Sequence, residues 1–330
     1  MIKVYFDGIR KQILSELDNA TQKISVAVYW FTNEALLEKL MNKLDSGLSV
    51  EVIIHNDYIN NRESGLPFQG FINKGGKFYF SNSEHPMHNK FCIIDDKVVI
   101  NGSYNWTYYA EDKNRENVLV IKDEQTVLEE FSLEFERLKS LTNLVDDIRV
   151  LTKFEVDEFN QLKARDYLAN DIIYRAKDTG RNDIVDEAFQ LAPGNIEVQQ
   201  RAVDLSLTKK WRLKHSIGTS LMHDRYLIIV PKGKMLPFSD VKIVQTVSDN
   251  QRSSAATIHY GENTKASLNK QFAEIELMGL PPKPAGEAKI KYTVTVDIYG
   301  VLRIEKMSLD NGRCAPVTKK ITGLLEEILE

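Results

Sequence analysis

The sequence is poor in cysteine, in net charge of either sign and in long apolar runs, and each shortage closes off a class of protein. Two cysteines in 330 residues, Cys92 and Cys314, give no disulfide framework and no cysteine metal cluster, and they fit a reducing compartment. No apolar run approaches the roughly 18 residues that would span a bilayer. The opening MIKVYFDGIRKQILSELDNA reads as an amphipathic strand and helix rather than a secretory leader, so a cytoplasmic setting is expected. A net charge of −4 argues against a basic coat over the whole surface of the kind that binds nucleic acid. Residues 1–146 hold 16 Lys and Arg against 22 Asp and Glu, a balance of −6, and the remainder holds 27 against 25, a balance of +2. Any surface that holds phosphate must therefore be a local patch.

What is present is an ordinary globular balance, 42% hydrophobic and 27% charged, in a chain too long for one compact core. Two or three domains are expected. Over residues 1–142 strand patterns (ISVAVYW, SVEVIIHN, KFYFS, HNKFCIIDD, KVVINGS, NVLVIKD) alternate with helical ones (TNEALLEKLMNKLDSG, PFQGFINKGG, TVLEEFSLEFERLKSL), which predicts an α/β layered sheet with helices. Residues 143–210 show helical spacing and no clear strand, and read as a helical linker. From 211 on, short β-rich runs separated by Gly, Pro, Asn or Asp predict an all-β sandwich, closed by a short C-terminal helix at TGLLEEILE.

The chemistry concentrates in HNKFCIIDDKVVINGSYNWT, residues 88–107. His88 and Lys90 are two apart on a strand, so their side chains leave on one face. A tight Asp-Asp-Lys turn brings the chain back, and Ser103 and Asn105 follow at the end of the returning strand, again two apart. A phosphodiester is an anion, so attack on it requires charge neutralisation and hydrogen-bond donors around the phosphoryl oxygens. Lys90, Ser103 and Asn105 supply both, and an imidazole is a competent nucleophile near neutral pH. Nothing in this set calls for a metal or another cofactor.

The spacing H-x-K-x-x-x-x-D, followed after a six-residue gap by G-S-x-N, resembles the phospholipase D superfamily, and NREN at 114–117 resembles the N-x-E-N of its small bacterial nucleases. The resemblance runs from about Val26 to Ile121. It implies that His88 attacks phosphorus to form a phosphohistidine. It further implies that Lys90, Ser103 and Asn105 hold the phosphate, that Glu116 orients His88, and that Asp95 supports the site from beneath. Enzymes of this superfamily use two such motifs and this chain carries one, so a homodimer is implied, acting on DNA or RNA. A phospholipase-type enzyme on membrane lipid and a non-catalytic adaptor are the alternatives. Trp30, in the aromatic stretch that ends the first core strand, either stacks on a base or packs the core or dimer face. His85, just before the motif, is a candidate substrate contact beside the simpler reading of a loop residue.

The second half carries a further resemblance. DNQ followed by TIH and GE, then GLPPKPAG, then VTVDIYGVL resemble, in order and spacing, the β-sandwich substrate-binding domain of the seventy-kilodalton heat-shock chaperone family. The resemblance covers residues 213–312. It lacks the nucleotide-binding domain, so no ATP cycle is implied. It places Met222, Val247, Ala256 and Ile258 near a groove for extended polypeptide, against the plainer reading that they are core residues of a scaffold or partner-docking module.

Overall fold

The computed structural model describes residues 1–81, 87–152 and 158–328, leaving aside the side chains of 158–163. It divides into two compact units, 1–191 and 192–330. In chain order the first holds β1 (Ile2–Tyr5), α1 (Ile9–Asp18), β2 (Lys23–Val28), α2 (Glu34–Asp45), β3 (Ser49–His55), α3 (Phe68–Asn73) and β4 (Lys77–Ser81). It continues with β5 (Lys90–Ile94), β6 (Val98–Gly102), α4 (Tyr108–Asp112), β7 (Val118–Lys122), α5 (Gln125–Ser140), β8 (Asn143–Leu144), α6 (Glu158–Thr179) and α7 (Val185–Leu191). The eight strands form one mixed sheet in the order β1-β7-β6-β5-β2-β3-β4-β8, with β2, β3 and β4 parallel.

Both faces of this sheet are covered, which is why its central strands read as continuous apolar runs rather than alternating ones. One face packs Val26, Val52 and Cys92 against Ile13 and Leu17 of α1 and Leu36 and Leu40 of α2. The other packs Ala27, Ile53, Phe91 and Ile93 against Leu128, Phe135 and Leu138 of α5. Helix α2 begins where Asn33 accepts the Leu36 N–H at 3.2 Å, a side-chain N-cap. The β5–β6 turn places Asp95 and Asp96 at φ 53° and 49°, with Lys97 N–H on the Ile94 carbonyl at 3.0 Å. Two successive left-handed residues give the hairpin a primed turn, matching strand twist.

The second unit holds α8 (Ile196–Asp204), β9 (Lys210–Leu213), β10 (Ile217–Leu221), β11 (Arg225–Val230), β12 (Phe238–Gln245), β13 (Ser253–Tyr260) and β14 (Lys270–Met278). It ends with β15 (Lys289–Val296), β16 (Val301–Ser308), β17 (Cys314–Lys320) and β18 (Leu325–Ile328). Two four-stranded antiparallel sheets, β11-β10-β13-β14 and β12-β15-β16-β17, enclose a core that includes Ile217, Ile258, Ile275, Tyr292, Val294 and Ile304. The inward residues of β15 (Ile290, Tyr292, Val294, Val296) alternate with exposed or half-buried ones, the period-two pattern of a sandwich strand.

Three expectations are corrected. Residues 143–210 are not one helical linker: α6 and α7 belong to the first unit and α8 to the second, and Asn143–Leu144 pairs with β4 as a strand. The C-terminal TGLLEEILE is not the expected amphipathic helix: Thr322–Leu324 makes a single 3-10 turn and Leu325–Ile328 is β18, paired with β9, with Leu325 opposite Leu213 and Glu326 bonded to Arg212 at 3.0 Å. Ile258, expected near a groove, is fully buried in the sandwich core. No helix of the described residues is long and apolar enough to cross a membrane.

Candidate active site

The strand ends bring the motif together. Val28, the last residue of β2, pairs with Lys90, the first of β5, and Tyr29 N–H continues the pairing onto the Asn89 carbonyl at 3.1 Å. Gly102 ends β6 opposite Val118, where a Cβ would stand 2.0 Å from the Asn117 carbonyl oxygen, so only glycine fits there. The Ser103 N–H then reaches that same carbonyl at 3.1 Å. Residues 29–31, 88–90 and 102–105 thus emerge at one end of the sheet.

His88 is exposed, with its ring centroid 4.7 Å from that of Tyr29. The Lys90 ammonium donates to the His88 carbonyl oxygen at 2.7 Å and stands 5.5 Å from the Tyr29 ring centre. Burial lowers the Lys90 pKa to about 8, against the pull of Glu116. Burial, then the Lys90 charge and His55, hold the His88 imidazole below the ordinary histidine value, which favours its neutral, nucleophilic form.

Asn105 is buried, and its Oδ1 accepts the Trp30 backbone N–H at 3.2 Å. Its Nδ2 makes no hydrogen bond among the described residues. Ser103 Oγ donates to Glu116 in a short bond and accepts the Asn117 N–H at 3.1 Å. Glu116 also accepts from Asn114 Nδ2 at 2.9 Å. The pair expected between Glu116 and His88 is therefore not formed within one chain: this carboxylate is committed to Ser103 and Asn114. Asp95 is not brought to the mouth either. It follows the far end of β5, roughly 16 Å from Lys90 at about 3.3 Å per residue. There it accepts the N–H groups of Thr21, Gln22 and Lys23 at 2.7, 2.8 and 2.9 Å and the Thr21 hydroxyl at 2.9 Å. Although burial raises its pKa, these bonds outweigh that effect and hold the carboxyl below its usual range. It ties β5 to the start of β2. His85 lies outside the described residues.

Around the motif stands a second tier. Trp30 is half-buried and held on both sides: its indole N–H donates to Asp57 at 2.7 Å and its ring packs 4.3 Å from that of Tyr167. Asp57 is half-buried, and desolvation raises its carboxyl above the usual range against the bonds from Trp30 and Asn60, the His55 charge and the bond from Ile59. His55 stacks on Tyr29, centroids 4.8 Å apart and 20° between planes, while its Nδ1 meets Ser81 Oγ at 3.1 Å. Tyr29 and His55 stand at strand ends, where an aromatic ring or an imidazole carries no distinguishing signal in the sequence. Asp57 follows β3 with no distinguishing mark, and Tyr167, far beyond the motif, carries no local signal.

In the second unit, Met222 is exposed at the β10–β11 turn and Val247 is exposed just past β12. Ala256 is half-buried on β13, next to the point where Thr257 N–H meets Ser220 Oγ at 3.1 Å. Ile258 shares the inward face of β13 with Ala256 but lies deeper, in the core.

Residues 13–139 match the family model described as Cardiolipin synthase, PLD-like domain, and residues 198–327 match that described as Hsp70 protein. The mitochondrial cardiolipin hydrolase of Xenopus tropicalis is 33% identical over 132 residues, 40% of this chain and 61% of that protein. The mitochondrial heat shock 70-related protein 1 of Leishmania major is 29% identical over 144 residues, 43% of this chain and 22% of that protein. Nuc from Salmonella typhimurium, a phospholipase D family member of known structure, aligns with a TM-score of 0.42 and 24% identity over 44% of this chain and 99% of that one. The chain spans less than two thirds of the length of these two curated relatives. It joins a phospholipase D-like region to a region of the seventy-kilodalton heat-shock protein family.

Proposed function

We propose that the first unit hydrolyses phosphodiesters of nucleic acid without a metal, through a covalent phosphohistidine on His88, and that two copies complete one site. The observation that carries this reading is that His88, Lys90, whose ammonium donates to the His88 backbone carbonyl at 2.7 Å, and Asn105, whose Nδ2 makes no hydrogen bond among the described residues, meet at one end of the sheet. The neutral His88 imidazole attacks phosphorus, the bond to the leaving oxygen breaks, and His88 of the second copy, which starts protonated, delivers its proton to that oxygen. The second His88 then takes a proton from water, the hydroxide attacks phosphorus, and the P–N bond breaks to restore His88. Lys90 and Asn105 hold the phosphoryl oxygens, and Ser103 stands beside them.

Nucleic acid is favoured by the nuclease-like NREN segment. A membrane phosphodiester is the second reading, and the name of the cardiolipin hydrolase relatives favours it. The test is to incubate the full chain with labelled DNA, RNA and cardiolipin vesicles in the presence of EDTA. Cleavage of nucleic acid that persists in EDTA and is abolished in a folded His88→Ala variant supports the reading. Loss of activity on chelation, an active His88→Ala protein, or a fully active monomer overturns it, and cleavage of cardiolipin alone selects the lipid.

The second unit is proposed to bind extended polypeptide or a protein partner near Met222, Val247 and Ala256, a recognition mode open to sheets. A peptide array probed with the full chain tests this. Binding should weaken in Ala256→Phe with the fold intact, and an array without binders makes the sandwich a scaffold.

A further inference from the structure

Helix α6 starts at Glu158, past the phospholipase D-like match that ends at residue 139, yet it walls the candidate site. Tyr167 reaches two points of that site at once. Its hydroxyl is 2.6 Å from Thr107 Oγ1, and its ring centroid lies 4.3 Å from that of Trp30. One turn on, the buried Asp171 accepts the Tyr109 N–H at 2.8 Å. Residues four apart lie on one face of a helix, so α6 grips the segment from Thr107 to Tyr109 with two side chains.

Asn105 sits between the gripped points. Trp30 N–H donates to its Oδ1 at 3.2 Å, and Thr107 N–H donates to its backbone carbonyl at 2.9 Å. With the amide oxygen engaged, the carboxamide cannot turn over without losing that bond, and Nδ2 is left as the free donor. The orientation of this donor thus depends on where Trp30 and Thr107 stand, and Tyr167 touches both.

We propose that Tyr167 is a positioning residue of this site, holding Trp30 and Thr107 so that the Asn105 amide presents its N–H to the phosphoryl oxygens. The proposal rests on the phosphodiesterase reading above and adds to it an element outside the matched region. A misplacement of about 1 Å at a reacting centre can cost on the order of a hundredfold in rate.

The test is a double-mutant cycle on the full chain with bis(p-nitrophenyl) phosphate in EDTA. Tyr167→Ala should lower kcat/KM about tenfold or more with the melting temperature held within a few degrees. Asn105→Ala should lower it too, and the double variant should lose no more than Asn105→Ala alone, because no amide remains to be positioned. Losses that multiply, or wild-type turnover in Tyr167→Ala, overturn the proposal. Should Tyr167→Ala fail to fold, the same cycle is read with Tyr167→Phe, which keeps the ring and drops the hydroxyl. A wild-type chain without turnover defeats the phosphodiesterase reading instead. The cycle is then read in the Kd for inorganic vanadate, with the same non-additivity expected, and a chain that binds no vanadate overturns the positioning role as well.

Discussion

The ring centroid of Tyr29 lies 4.7 Å from that of the His88 imidazole, tilted by 60°, while a second imidazole, that of His55, stacks on Tyr29 at 4.8 Å. With Glu116 engaged elsewhere, this aromatic contact is what braces the proposed nucleophile within one chain. Tyr29→Leu should therefore lower kcat about tenfold, as expected for a nucleophile held less well, whereas Tyr29→Phe, which keeps the ring, should stay near wild type. Steady-state turnover of a labelled oligonucleotide measures both, and equal rates for the Leu and Phe variants would remove the bracing role.

His88 has its pKa lowered by burial first, then by the Lys90 charge and His55. Its NMR titration midpoint should lie below the ordinary histidine value of about 6.5. Lys90→Met removes a like charge and should move the midpoint upward, burial still holding it down. A midpoint unchanged by this substitution would show that Lys90 does not act on His88 electrostatically.

Asp95 belongs to the motif but not to the mouth, so its loss should be felt in stability rather than chemistry. Asp95→Ala removes four hydrogen bonds at the turn into β2 and places alanine at φ 53°. A cost of about 1–3 kcal/mol is expected by chemical denaturation, with kcat of the folded fraction near wild type. Because the folded pKa is depressed, this stabilisation is present above the unfolded value and fades as pH falls through the folded one. A large loss of kcat at unchanged stability would show instead that Asp95 acts on the chemistry and not only on the fold.

Lys306 is fully buried in the sandwich, its ammonium donating to the Ser254 carbonyl at 2.6 Å and the Ser254 hydroxyl at 3.0 Å. Burial lowers its pKa to about 8, against the pull of Glu276. Between that value and the ordinary lysine value of about 10.4 the unfolded chain binds the extra proton, so stability from this group should rise with pH across that window. Lys306→Met should flatten this rise in melting curves of the second unit's transition, and a profile unchanged by the substitution would refute the assignment.

Much of the architecture was legible because it is written in short periods. Apolar runs alternating with helical spacing marked the layered sheet, short β-rich runs separated by Gly, Pro, Asn or Asp marked a sandwich, and the spacing of His88, Lys90, Ser103 and Asn105 put four polar groups at one hairpin mouth. Local pattern failed where distant partners decided. Leu324, Leu325 and Ile328 have helical spacing, but strand Lys210–Leu213 offered its edge and a cross-strand Arg212–Glu326 pair, so the segment extended.

By itself the sequence determined the hairpin that carries His88 and the β-rich runs of the second unit, since these depend on neighbours in the chain. Tertiary structure alone decided that Asp95 serves the sheet, that Glu116 turns to Ser103, that Ile258 is core, and that Tyr167 meets Trp30. These outcomes rest on which side chains long-range packing brings within hydrogen-bond or van der Waals reach, and separation along the chain carries no record of that.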